Sequence, residues 1–181
     1  MLNISAIIAD RCHLTEEESV LCSYGAKALL HTILSTAGLL LTGFYLSRPF
    51  ETLILITLFY LNQTIGGGYH AKTAIRCFVT MFVGLILSLI SFNKILDYWF
   101  YSFFGTVSAV ILFCFPLTLH ANKKYLQGKS EFFIRRSRFI VILELCVLMA
   151  LPILGLYRVL PMFSKGLILS AISRLAGKAM N

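Results

Sequence analysis

A histidine and a cysteine seven residues apart, His70 and Cys77, are the residues of this chain best suited to covalent chemistry. Imidazole can take the thiol proton, and the thiolate is the form that attacks a carbonyl carbon. Lys72 and Arg76 lie beside them in the sequence and favour the thiolate by their charge. A free cysteine titrates near about 8.5, and a cationic, partly exposed setting lowers that value. On an unbroken α-helix a seven-residue separation keeps two side chains on one face but about 10 Å apart along the axis, beyond hydrogen-bond reach. A working pair therefore requires a bent backbone between them. Gly66, Gly67 and Gly68 come immediately before, and each glycine inside a helix costs about 1 kcal/mol relative to alanine. Two readings fit these residues taken alone. One is a catalytic pair beside a helix break; the other is a glycine-rich connection with an interfacial histidine and a helix-packing cysteine.

Weaker candidates surround this segment. Asn62 and Gln63 precede the glycines, and amide side chains can orient an imidazole or donate to a tetrahedral oxyanion. Polar residues there equally mark the boundary of an apolar stretch. A backbone N–H of Gly68 or Tyr69 is a further oxyanion donor. Glu144 is a lone carboxylate within an apolar run, a functional candidate by type, with an ion pair to nearby Arg138 as the plainer expectation. Cys12, His13, Cys22 and His31 match no standard metal-ligand spacing, so neither a metal nor a cofactor is expected. Five cysteines with no CxxC pair argue against a disulfide framework or a zinc ribbon. Cys114 and Cys146 are expected to pack as small apolar residues.

The elements that must position these groups are those of a membrane protein. Of 181 residues 58% are hydrophobic and 13% charged, against roughly 45–50% and 25% in soluble domains, and the mean hydropathy is +0.83. An ordinary soluble domain is excluded by those figures. The expected fold class is all-α, a polytopic membrane helix bundle of about five to six transmembrane helices in one domain over residues 1–181, with an N-terminal amphipathic helix. Ile4, Ile7, Ile8 and Leu14 recur near a helical period in that first segment, and Thr15 followed by Glu16, Glu17 and Glu18 reads as a capping box opening a fresh helix. With Asp10 and these glutamates in place of a basic stretch, no cleavable signal peptide is expected. The predicted spans are 28–47, 52–65, 78–92, 99–119 and 139–157. Arg48, Pro49, Phe50 and Glu51 form the first turn, and 159–173 is either a short sixth span or an interfacial helix.

The net charge is +8, which in such a chain belongs to cytoplasmic loops and anionic lipid rather than to nucleic acid. With the N-terminus in the cytoplasm, ten basic residues fall inside: Arg11, Lys27, Lys72, Arg76, and Lys123, Lys124, Lys129, Arg135, Arg136 and Arg138 of a basic loop over 120–138. Arg48, Lys94 and Arg158 fall outside, and Lys165, Arg174 and Lys178 of the tail complete the sixteen. That orientation places residues 66–76 at the cytoplasmic face. Anchoring to anionic lipid, at about 1 kcal/mol per basic residue, accounts for the loop without any substrate.

The run Gly67, Gly68, Tyr69, His70, Ala71, with Cys77 seven residues after the histidine in a small polytopic chain, resembles the accessory gene regulator B (AgrB) family. The resemblance covers most of the chain. It implies a membrane cysteine endopeptidase of the bacterial cell membrane that processes a quorum-sensing propeptide, with Cys77 as nucleophile and His70 as its base. The implied reaction holds the signal segment as a thioester on Cys77 until a Cys or Ser within the peptide closes a thiolactone or lactone. The implied substrate has an amphipathic leader and an acidic tail, which Lys123, Lys124, Lys129, Arg135, Arg136 and Arg138 would capture. A homodimer is also implied. One departure is visible: family members carry an arginine shortly before the glycines, where this chain has Asn62, Gln63 and Thr64.

Two other function classes compete. A non-enzymatic carrier or exporter subunit would use residues 66–68 as a helix break lining a path and would tolerate Cys77→Ala. A cysteine acyltransferase would use the same pair on a lipid or protein acyl group.

Overall fold

The computed structural model describes residues 16–68, 74–90, 98–116 and 130–179. Among them are six α-helices and no strand: α1 (Glu16–Tyr45), α2 (Pro49–Gly66), α3 (Ala74–Ile90), α4 (Tyr98–Cys114), α5 (Ser130–Ile153) and α6 (Leu160–Ala179). The all-α class read from the sequence is thus observed. The expected amphipathic helix before residue 16 lies outside the described residues. The chain divides into two compact units, 1–39 and 40–181; the first contributes the opening part of α1, and all that follows concerns the second.

Local chemistry sets the helix ends. After α1, the Arg48 amide donates to Gly43 O at 2.8 Å and the Ser47 amide to Phe44 O at 3.0 Å, the paired bonds of a Schellman close. Ser47 takes the left-handed position at φ 56°, which is uncommon for a residue other than glycine. Pro49 then starts α2, where its fixed φ suits the first helical position and its missing N–H is not needed. Glu51 sits in the first turn, with its carboxylate at the positive end of the helix. The turn is therefore confined to 46–48, and Pro49, Phe50 and Glu51, expected in it, are already helical. The same closing motif ends α5: Gly155 is at φ 70°, and Leu156 and Gly155 donate to Leu151 O and Pro152 O.

Two further expectations are corrected. Helix α5 begins at Ser130 rather than Phe139, so Arg135, Arg136 and Arg138 are helical rather than part of a loop. Glu and Arg are good helix formers, a preference that hydropathy does not register. The tail read as a short span or an interfacial helix is the 20-residue α6, and it lies at the centre, packed against α2, α3, α4 and α5. Small residues permit this approach. A Cβ on Gly166 would stand 2.8 Å from Leu58 Cδ1, and one on Gly105 would stand 2.9 Å from Ser164 Oγ. Leu58 of α2, Tyr101 and Leu112 of α4, Leu148 of α5, and Leu160 and Leu167 of α6 form the core around these contacts.

Long-range hydrogen bonds define two ends. Arg174, late in α6, reaches Asn62 O near the end of α2 and Leu112 O and Phe115 O at the end of α4. At the other end Lys165, early in α6, donates to Ser88 O of α3 at 3.0 Å, and Arg48 of the first turn donates to Leu89 O at 2.9 Å. Helices α2, α4 and α6 hence run towards one end and α3 and α5 away from it, an up-and-down bundle.

Among the described residues no helix is long and apolar enough to cross a membrane. Helices α3 and α4 have 17 residues each, about 26 Å at 1.5 Å per residue, whereas α5 is longer but carries Arg135, Arg136, Arg138 and Glu144. The surface is nonetheless apolar: Leu87, Trp99, Phe103, Phe139, Leu143 and Ile153 are among many large hydrophobic side chains left exposed.

Candidate active site

The end of α2 shows why three glycines follow one another. Gly67 closes the helix, its N–H donating to Gln63 O at 3.1 Å, with φ 70° and ψ −173°. That combination is open to glycine and essentially nothing else. Gly66 and Gly68 are instead held by crowding. A Cβ on Gly66 would overlap the Arg174 guanidinium, and one on Gly68 would overlap the Gln63 carboxamide. The chain is not one uninterrupted helix through this region, because α2 ends at Gly66, residues 67 and 68 are not helical, and α3 is described from Ala74; the residues directly after His70, where the spacing to Cys77 asks for a bend, lie outside the described residues.

Beneath this segment lies a buried polar cluster that joins four helices. The Asn62 carboxamide donates to Glu144 Oε1 at 2.8 Å and to Leu58 O at 3.1 Å. Both Nδ2 hydrogens are thereby engaged inside the bundle. The Asn62 backbone carbonyl accepts from Arg174 Nη2 at 3.1 Å. Arg174 Nη1 faces Leu112 O at 3.1 Å, Phe115 O at 3.2 Å and Ser137 Oγ at 3.3 Å. Arg174 is 1% exposed and Glu144 4% exposed. The ion pair of Glu144 with Arg138 expected from the sequence is not formed. Six residues separate them on one helix, which turns them about 120° apart, and Arg138 instead lies 5.3 Å from the Phe113 ring centre.

Gln63 faces the site segment itself. Its Nε2 donates to Ser173 Oγ of α6, while its Oε1, against Gly68, is buried without a hydrogen-bond partner among the described residues. An acceptor left without a partner in a protein interior calls for a reason. His70 lies outside the described residues, two positions beyond Gly68 in the chain. Cys77 is in the first described turn of α3. Since the last residues of α3 lie at the Lys165 end, this first turn belongs to the end that holds residues 66–68.

The basic residues divide. Lys123, Lys124 and Lys129 lie outside the described residues. Arg135, Arg136 and Arg138 are exposed near the start of α5, and Ser137 between them touches Arg174. The arginines therefore share the end of the bundle with Gly66 and Gly68. Sequence reasoning missed Arg174, Ser173 and Ser137. Lys165 and Arg174, cations within a run of small and apolar residues, were the available signal, because ionisable groups in such a setting seldom face outwards.

Among the described residues no group of three or more His, Cys, Asp or Glu side chains is placed to hold a metal ion. Cys114 and Cys146 are free thiols and exposed, rather than packed inside as their small apolar character suggested. The family model described as AgrB, Accessory gene regulator B, matches residues 2–175, nearly the whole chain. No curated protein and no solved structure matches it.

Proposed function

Because the chain belongs to the accessory gene regulator B family, we propose that it is a membrane-embedded cysteine endopeptidase that processes a quorum-sensing propeptide at the cytoplasmic face. In this reading Cys77 Sγ attacks the scissile carbonyl carbon after its proton passes to His70. The C–N bond breaks, His70 returns the proton to the leaving amine, and the signal segment is held as a thioester. A thiol or hydroxyl within the peptide then attacks the same carbon, its proton passing through His70 to the Cys77 sulfur that is released. The C–S bond to Cys77 breaks, and the ring closes as a thiolactone or lactone.

The observation that carries this reading is the Gln63 carboxamide. Its unpartnered Oε1 against Gly68 is suited to accept an N–H from the imidazole two residues on and so hold His70 in the tautomer a base needs, the role of the third group beside a nucleophile and its base. Gly68 N–H is the oxyanion donor in this scheme. Arg135, Arg136 and Arg138, with Lys123, Lys124 and Lys129, receive the acidic tail of the substrate.

Membrane embedding is supported by an inverted distribution of side chains. Arg174, Glu144 and Asn62 are inside and Trp99, Phe139 and Ile153 outside, the arrangement a lipid solvent favours over water. Helices of 17 residues are accommodated by local thinning and by basic side chains reaching to the headgroups. The substrate is a propeptide with an amphipathic leader and an acidic tail, and the active form is a homodimer.

The test is reconstitution of the full chain with a candidate propeptide, followed by intact-mass measurement. An acyl adduct on Cys77 that is lost in Cys77→Ala supports the peptidase. Processing that survives Cys77→Ala returns the chain to the carrier class. One-sided labelling of cysteines introduced at Lys72 and Lys129 tests the orientation, and labelling of both only from outside would invert it.

A further inference from the structure

We propose that Arg174 is a positioning residue for this reaction: its guanidinium fixes residues 62–68, and through them the backbone two residues before His70. The inference rests on the peptidase reading and adds to it a group that makes no contact with substrate.

Burying a guanidinium is unfavourable unless its hydrogens are satisfied and its charge is countered. Here the charge is placed with precision that simple helix capping does not demand. Nη2 is directed at Asn62 O, while Nη1 is shared among Leu112 O, Phe115 O, Pro116 O and Ser137 Oγ, and Nε is left without a partner among the described residues. A planar fork serves two such directions from two nitrogens in fixed geometry, whereas lysine has one ammonium nitrogen with rotatable donors and cannot stand at both positions. Gly66 lies so close to the guanidinium that a Cβ there would overlap it, so any shift of Arg174 is passed to the segment without slack. Asn62 is also held from the opposite side by Glu144. Its backbone and side chain are thus pinned between a carboxylate of α5 and a guanidinium of α6. Gln63, next in the chain, is pinned by Ser173, next to Arg174. Neighbouring residues of α6 therefore secure neighbouring residues of α2, immediately before the glycine break.

The experiment uses the full chain with Cys12, Cys22, Cys114 and Cys146 replaced by serine, reconstituted in phosphatidylglycerol vesicles, and follows alkylation of Cys77 by iodoacetamide as a function of pH. Iodoacetamide is uncharged and small, so its rate reports the thiolate and its access without a peptide. The parent chain is expected to show an inflection on the acidic side of an ordinary thiol, abolished by His70→Ala. Arg174→Lys and Gly66→Ala are each expected to slow alkylation near neutral pH by about tenfold, to carry the His70→Ala profile, and to reach the parent rate at high pH. That convergence separates loss of the pairing from a general loss of packing, which would change access at every pH. The double variant should be no worse than either single one. If Arg174→Lys does not fold, Gly66→Ala carries the test, since it retains the guanidinium and adds one methyl group. A His70-dependent inflection that persists in both variants overturns the role of Arg174 alone. A parent profile unaffected by His70→Ala overturns the peptidase reading, and this inference with it.

Discussion

At the Lys165 end of the bundle, the last carbonyls of α3 receive two cations: Lys165 on Ser88 O and Arg48 on Leu89 O. At the other end, the last carbonyls of α2 and α4 receive one, Arg174. Both arrangements satisfy orphan carbonyls and place positive charge where helix dipoles end. They differ in what else is present. Around Lys165 there is an aromatic ring, Tyr101, 5.9 Å away. Around Arg174 there is a buried carboxylate, two carboxamides, and three glycines without room for a side chain or with φ positive. Capping a helix needs the first set. The second specifies the path of the chain after the helix stops, which is what a site requires and a bundle does not.

The largest effect expected at the Gly66 end is chemical. Cys77→Ala and His70→Ala should each abolish propeptide processing, and the double variant should lose no more than either, because nucleophile and base act as one unit. Cys77→Ser should process very slowly, since an alkoxide is far harder to form than a thiolate. Mass spectrometry of reconstituted protein after incubation with propeptide measures all four, and ordinary turnover by either alanine variant would sink the pair.

Next comes the cluster beneath. Glu144→Leu removes the countercharge of a buried guanidinium and is expected to destabilise the bundle by about 3–5 kcal/mol. Asn62→Leu leaves Glu144 Oε1 without its donor, at about 1–3 kcal/mol. The matching change at the opposite end, Lys165→Met, should cost about 1–2 kcal/mol, the worth of a partly buried cation at a helix end, with processing by the folded fraction unchanged. Unfolding in detergent followed by circular dichroism gives the stabilities. A Lys165→Met protein that folds but does not process would erase the distinction between the ends.

This contrast also marks what the sequence could disclose. The stop at the end of α2 was legible because three consecutive glycines mark it, whereas His70 and the side chain of Cys77, singled out by type and spacing, lie outside the described residues. Helix positions were approximately legible from hydropathy, which failed where charge and helix propensity part company, at Arg135, Arg136 and Arg138. It failed again in α6, where Ser164, Gly166 and Ser170 lower the apolar signal of the most buried helix. Arg174 could be noticed as a cation in an apolar tail, but its partners were not legible. Its partners lie 112, 62 and 37 residues away in the chain, and pairings of that range are set by how helices pack and by no local pattern. Glu144 shows the same limit: sequence proximity pointed to Arg138, and the rotation of α5 gave it Asn62.

The smallest effect expected concerns the basic residues outside this cluster, where lipid anchoring and capture of an acidic tail make different demands. Neutralising Lys123, Lys124 and Lys129 together should raise KM for the full-length propeptide while leaving kcat, and the kinetics of a tail-shortened propeptide, nearly unchanged. Charges remote from the scissile bond contribute equally to ground and transition states, which changes KM and leaves the chemical step alone. Orientation should survive the change, because seven of the ten basic residues assigned to the inner face remain against three outside. Attraction between exposed charges is screened over about 8 Å at physiological ionic strength, so the difference between parent and variant should shrink as salt is added. Arg135 and Arg136, exposed near the start of α5, stay in place and keep part of the attraction, which holds the expected rise in KM well below the losses at Cys77. Equal losses with full-length and tail-shortened substrates would instead leave these lysines as lipid anchors and confine substrate recognition to the end of α2 and the start of α3.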